Sequence, residues 1–144
     1  MQYEQYMKIA IEEAKESKNT GNKGFGAVIV KEGRIIAKAH DNTKQTNDPS
    51  SHAEMNAIRL AAKELGPDLN GCTLICTCEP CPMCAAAAIW ANIDAVAYGA
   101  SIEETIRLGR KRINLPLKEL NKISPHKIKI AEGVLKEECL ELYK

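Results

Sequence analysis

No stretch of the 144 residues approaches the roughly 20 consecutive apolar positions that a membrane-spanning helix needs. The N-terminal MQYEQYMKIAIEEAKES mixes acids and bases in an amphipathic pattern and lacks the apolar core of a signal peptide. With both features absent, the chain is expected to stay in the cytoplasm. Thiols are kept reduced there, so its six cysteines point to metal or chemistry before disulfides. Internal repeats, low-complexity tracts and interdomain linkers are also missing, which leaves one expected domain over residues 1–144 with a single core. The chain has almost no net charge, +1, and by itself that balance implies no nucleic-acid partner. The distribution is less even: positions 107 to 129 hold eight Lys or Arg residues and one acid, Glu119. That segment is either a solvated basic loop or an electrostatic footprint for phosphate.

Met7, Ala10, Ile11 and Ala14 recur at helical spacing and predict a first helix over residues 3–17. FGAVIVK and RIIAKAH flank Glu32-Gly33, a hairpin pattern with glycine at the turn. The polar stretch DNTKQTNDPSS is expected to be a loop. SSHAEMNAIRLAAKEL is the clearest helix, stopped by Gly66-Pro67. CTLICT is a short apolar strand, and PCPMCAAAAIWA a helix with proline near its first turn. A strand DAVAYGA, a helix SIEETIRL, a strand KIKIA and a last helix GVLKEECLELY complete the pattern. Strands alternating with helices after an opening hairpin predict a three-layer α/β/α sandwich on a five-stranded mixed sheet.

Residues 76–84, CTCEPCPMC, place four cysteines in nine positions. Cys78, Cys81 and Cys84 start a ferredoxin-like pattern, but its fourth cysteine would fall at position 88, which is alanine. A redox pair at Cys81 and Cys84 has nothing else in the chain to support it. A closed structural zinc site with four ligands remains open, since Cys76 or Cys78 could complete it. His52 and Glu54 add a further possibility. Both HAE and PCPMC lie where a helix begins after a strand, and two parallel strand-to-helix units put such starts at one sheet edge. His52, Cys81 and Cys84 then converge as three ligands and leave a fourth tetrahedral position for water, as a catalytic zinc requires. Glu54, two residues from the imidazole, is placed to move that water's proton.

H-x-E followed by P-C-x-x-C is the signature of zinc-dependent nucleobase deaminases. The chain resembles the cytidine deaminase-like superfamily over nearly its whole length. It is most similar to the branch of guanine deaminases and tRNA adenosine deaminases, through FGAVIVKEGRIIA, NDPSSHAEMNAI and CEPCPMCAAAAIWA. The resemblance implies one Zn2+ per chain on His52, Cys81 and Cys84, hydrolytic deamination of an amino-bearing ring carbon with Glu54 as the proton carrier, and a homodimer. By fold-level analogy, backbone N–H groups near Ala53 and Cys81 are expected to face the developing oxyanion. Cys72, Cys76, Cys78 and Cys139 are expected to be small core residues, with Cys78 the one that could reach the site. The run from Ala85 to Ala88 is expected to be a close-packing helix face and, with Trp90, an oligomer contact.

Substrate expectations rest on departures from these relatives. They usually carry an asparagine eleven residues before the metal histidine, whereas this chain has Asp41 there and Asn42 next. A carboxylate only accepts hydrogen bonds, so Asp41 favours a ring edge with N–H donors; otherwise a one-residue shift gives Asn42 the role. Phe25 is a candidate for the pocket wall or the core. The guanine-acting relatives carry acids after the glycine matching Gly109, where this chain has Arg110-Lys111-Arg112. A free base or nucleoside, guanine first, is the expected substrate because the overall charge is near neutral. An adenosine in a tRNA loop is the alternative, and a non-catalytic zinc module a further one.

Overall fold

The computed structural model describes residues 2–144. A helix α1 (Glu4–Asn19) precedes the hairpin of β1 (Gly26–Lys31) and β2 (Arg34–His40). Glu32 and Gly33 both adopt positive φ, 50° and 74°, the turn geometry whose twist matches paired strands. Then follow α2 (Thr43–Thr46), α3 (Ala53–Leu65), β3 (Cys72–Cys78), α4 (Pro82–Trp90), β4 (Ala95–Ala100) and α5 (Ile102–Arg107). The chain continues through α6 (Leu117–Lys122), β5 (Lys129–Ala131) and α7 (Lys136–Glu141).

The five strands form one mixed sheet in the order β2-β1-β3-β4-β5, antiparallel around β1 and parallel from β3 to β5. Along β1 the side chains alternate between two cores. Ala27 and Ile29 join α3 and α4 on one face, and Val28 and Val30 join α1 and α7 on the other. Every residue of β3 and β4 is buried, as central strands covered on both faces must be. The expected α/β/α sandwich is therefore the observed architecture.

Two short helices depart from the expected elements. The stretch expected as a loop holds the single turn α2, and the basic segment holds α6. Neither carries the long apolar periodicity that makes a helix legible. The last helix starts three residues later than its pattern implies, because Leu135 takes a left-handed conformation at φ 48° and blocks an earlier start. It packs on β4, where Cys139 meets Gly99: a Cβ added there would lie 2.3 Å from the Cys139 sulfur.

The topology sets the site. β2 and β3 each run antiparallel to β1 between them, so they point the same way. The helices that follow them, α3 and α4, begin at the same sheet edge. The end of β3 is tied to the later chain by Glu79, a buried carboxylate. It accepts the backbone N–H of Ile102 (2.9 Å) and of Leu117 (2.6 Å), at the starts of α5 and α6, where a negative charge complements the helix dipoles. Glu79→Ala leaves two buried N–H groups without a partner. It is expected to lower unfolding free energy by about 2 kcal/mol or more, measured by chemical denaturation; unchanged stability contradicts this role.

Candidate active site

His52 is the N-cap of α3 and Cys81 the N-cap of α4, both with extended backbone (φ −72°, ψ 159° and φ −65°, ψ 167°). Such positions favour Ser, Thr, Asp or Asn, whose oxygen satisfies a free helix N–H. Here neither side chain caps its helix. Both turn instead toward a common point, joined by Cys84 from the first turn of α4, with Pro82 between them at a position where a missing N–H costs nothing.

Each sulfur lies 3.7 Å from His52 Nδ1, and the two sulfurs lie 3.7 Å apart. Two sulfurs bonded to a tetrahedral zinc at about 2.3 Å stand about 3.8 Å from one another, so the triangle has the size of three corners of such a site. Among the described residues, these three form the cluster with metal-ligating geometry. Left to themselves they share protons. A hydrogen bond from Cys84 and another with His52 hold the Cys81 thiol down to about 4, against its burial. The same sulfur–sulfur bond, together with burial, raises Cys84, so the pair carries one negative charge. The bond to Cys81 also raises His52. A dication between them replaces that shared proton and takes both sulfurs as thiolates.

Glu54 stands at the second residue of α3 and is buried. Burial, and then the Cys81 thiolate, push its carboxyl up to about 7. A carboxyl poised there both takes and releases a proton near neutral pH. Glu54, His52 and Cys81 line a cavity of about 360 Å³ with Asp41, Phe25 and a set of cations, Lys23, Arg110, Lys111 and Arg112. A larger groove of about 720 Å³ lies elsewhere, lined by residues of α1 and the C-terminal segment, and contains none of these groups.

The remaining expected residues separate. Asp41 is buried in the cavity wall; its Oδ1 accepts from the N–H and hydroxyl of Thr43. Asn42 faces away. Its Oδ1 accepts from Asn56, which also bonds the main chain of His40 and Ser51, and it lines a different groove. The one-residue shift that would bring Asn42 to the substrate is thus not what the chain does. Ala53 is fully buried behind the cavity and can offer only its backbone N–H at the start of α3. Phe25 is half-buried and stacks on Tyr143 with ring centres 5.2 Å apart. Cys72, Cys76, Cys78 and Cys139 are buried, with their thiols raised by burial; Cys78 is pushed up to about 11.

Arg112 is the residue the motifs miss. It belongs to the basic segment, yet it crosses to the end of β3, donating to Cys78 Sγ and to the main-chain oxygen of Glu79. Its one sequence signal is the local excess of cations after Gly109.

Residues 1–100 match the family described as the cytidine and deoxycytidylate deaminase zinc-binding region. The chain belongs to this deaminase family. A guanine deaminase of Bacillus subtilis (strain 168) is 47% identical over 76% of this chain and 71% of its own length. A tRNA-specific adenosine deaminase of the same organism is 42% identical over 96% of this chain and 84% of its own length. Among solved structures, one from a study of A-to-I editing by tRNA:A34 deaminases at the wobble position of transfer RNA superposes with a TM-score of 0.81. It is 32% identical and covers 96% of this chain and 98% of that one. The chain is a zinc-dependent deaminase, a hydrolase of C–N bonds, with one histidine and two cysteines positioned to bind one zinc.

Metal analysis of this deaminase is expected to find one zinc per chain. Cys81→Ala and Cys84→Ala should each lose it, while Cys72→Ala and Cys139→Ala should retain it. Full zinc content in the Cys81→Ala, Cys84→Ala double variant contradicts the ligand set.

Proposed function

We propose that this deaminase removes an amino group from a nucleobase ring presented as a free base or nucleoside, with guanine the first candidate. Water replaces the amine, so guanine and water give xanthine and ammonia. The observation that carries this reading is Glu54, a buried carboxyl in the same cavity as His52 and Cys81. A purely structural metal site has no use for such an acid.

When bound, the zinc lowers the pKa of a water to about 7 and so supplies a hydroxide nucleophile near neutrality. Glu54 takes the proton released from that water. It passes the proton to a ring nitrogen beside the carbon under attack, then takes a second proton from the hydroxyl that has added to that carbon and gives it to the departing amine, so that the carbonyl forms as ammonia leaves. One carboxylate thus serves as base and then acid, which suits a group whose two protonation states are close in energy. Backbone N–H groups at the starts of α3 and α4 face the developing oxyanion, where the positive helix ends favour it. Phe25 gives the ring an aromatic face in the cavity wall. Asp41 offers Oδ2, the oxygen that Thr43 leaves free, to an N–H on the ring edge.

A cavity of about 360 Å³ suits one small ligand, and the guanine deaminase relative supports a purine base. A second reading is an adenosine in a tRNA loop. The four cations of the cavity wall favour it, as does the tRNA-specific relative that matches 96% of the chain. We also place the enzyme in the cytoplasm as a homodimer, with Trp90 of α4, 78% exposed, at the subunit contact.

Glu54→Gln is nearly isosteric and is expected to keep the fold and the zinc. Ammonia release should fall by about 10⁴-fold or more, since one group carries several transfers. Wild type and variant are compared at equal zinc content on guanine, adenine, their nucleosides and an anticodon stem-loop. Equal rates remove Glu54 from the mechanism. Turnover of the RNA alone, falling steeply with salt, transfers the substrate to the second reading.

A further inference from the structure

Arg112 is held too firmly for a solvated loop side chain. Its Nη1 donates to Cys78 Sγ and to Thr105 Oγ1 (3.1 Å), and its Nη2 to the Glu79 main-chain oxygen (2.8 Å). The guanidinium lies over the Phe25 ring, 5.6 Å from its centre, and Phe25 in turn stacks on Tyr143. Three of its five N–H bonds are engaged and two are unspent. Among the described residues, the ion pairs include no carboxylate for Arg112. The nearby Glu79 carboxylate is occupied by the N–H groups of Ile102 and Leu117. A half-buried, clamped guanidinium with spare donors and no acid partner therefore lines the cavity that holds Glu54 and the metal ligands.

We propose that Arg112 is the specificity residue of the site: it donates its two spare N–H bonds to adjacent acceptors on the ring of the substrate. This rests on the guanine reading above. Guanine presents O6 and N7 side by side, a pair that a guanidinium fork matches bidentately. Adenine presents N7 beside an N6 amine, a donor that the same fork repels. Asp41 completes the selection, since the guanine N1–H is a donor and the free Asp41 oxygen only accepts. The arginine is pre-set for this task. Cys78, Thr105 and Glu79 fix its plane before substrate arrives, so little side-chain entropy is lost on binding.

The test uses the zinc-loaded enzyme with guanine and 7-deazaguanine, which keeps O6, N1–H and the 2-amine, and so the Asp41 contact, but has C–H in place of N7. Wild type should favour guanine in kcat/KM by about 10- to 100-fold, the discrimination of one good bidentate pair. Arg112→Met keeps an apolar stem against Phe25 and should bring the ratio close to one by losing guanine turnover. Arg112→Lys, a point charge without the fork, should retain part of the preference. Binding of both bases to the Glu54→Gln protein, measured by calorimetry, should show the same ratio. If Arg112 only shapes the cavity, its substitution lowers both substrates together and the ratio stays; that outcome overturns the proposal. So does a wild-type ratio near one, which requires no variant to fold. Turnover of another ring without guanine overturns it together with the guanine reading, and leaves the role of Glu54 standing.

Discussion

Three donor atoms held 3.7 Å apart, two sulfurs and one imidazole nitrogen, constrain much of the surrounding structure. To bring them together, β2 and β3 must point the same way, which the antiparallel β1 between them ensures. Two helices must then start without the side-chain caps that ordinarily stabilise such starts. That is a local sacrifice at each N-terminus, and the covered sheet with its two apolar cores supports it. Zinc binding returns stabilisation at the same point, because the metal favours the folded arrangement of its ligands.

Electrostatics divide the six cysteines by position. Cys81 and Cys84 sit at a helix start and hydrogen-bond to each other, and Cys81 is driven toward thiolate. Cys76 and Cys78 lie in a fully buried strand, where desolvation keeps the proton on sulfur. Cys78 instead serves as an acceptor for Arg112. A second layer thus supports the first: Glu79 and Cys78, at the end of the strand that leads to the ligands, fix the segment that closes the cavity.

What was legible in the sequence follows from locality. His52, Glu54, Cys81 and Cys84 stand in two short motifs at helix starts, and helix starts are marked by nearby residues. The strands β1, β3 and β4 are short apolar runs bounded by turns, so the sandwich was legible as well. Asn42 was less so: which of two adjacent polar residues faces the cavity depends on Asn56, fourteen positions further on, binding one of them. Arg112 was harder still. Its partners Cys78 and Glu79 lie more than thirty positions away, and a basic loop looks the same whether its arginine is solvated or clamped. The single turn α2 is too short to show a period, and the six residues of α6 bury only Leu117, so no apolar stripe marks them.

Hydrolytic deamination here depends most on a site with three protein ligands and one open position, as opposed to a closed site that takes a further thiolate from Cys76 or Cys78. X-ray absorption at the zinc edge of the resting enzyme measures this directly. The predicted first coordination sphere has two sulfurs at about 2.3 Å and two nitrogen or oxygen atoms at about 2.0 Å, the latter from His52 and solvent. Three or four sulfurs around the metal would contradict it.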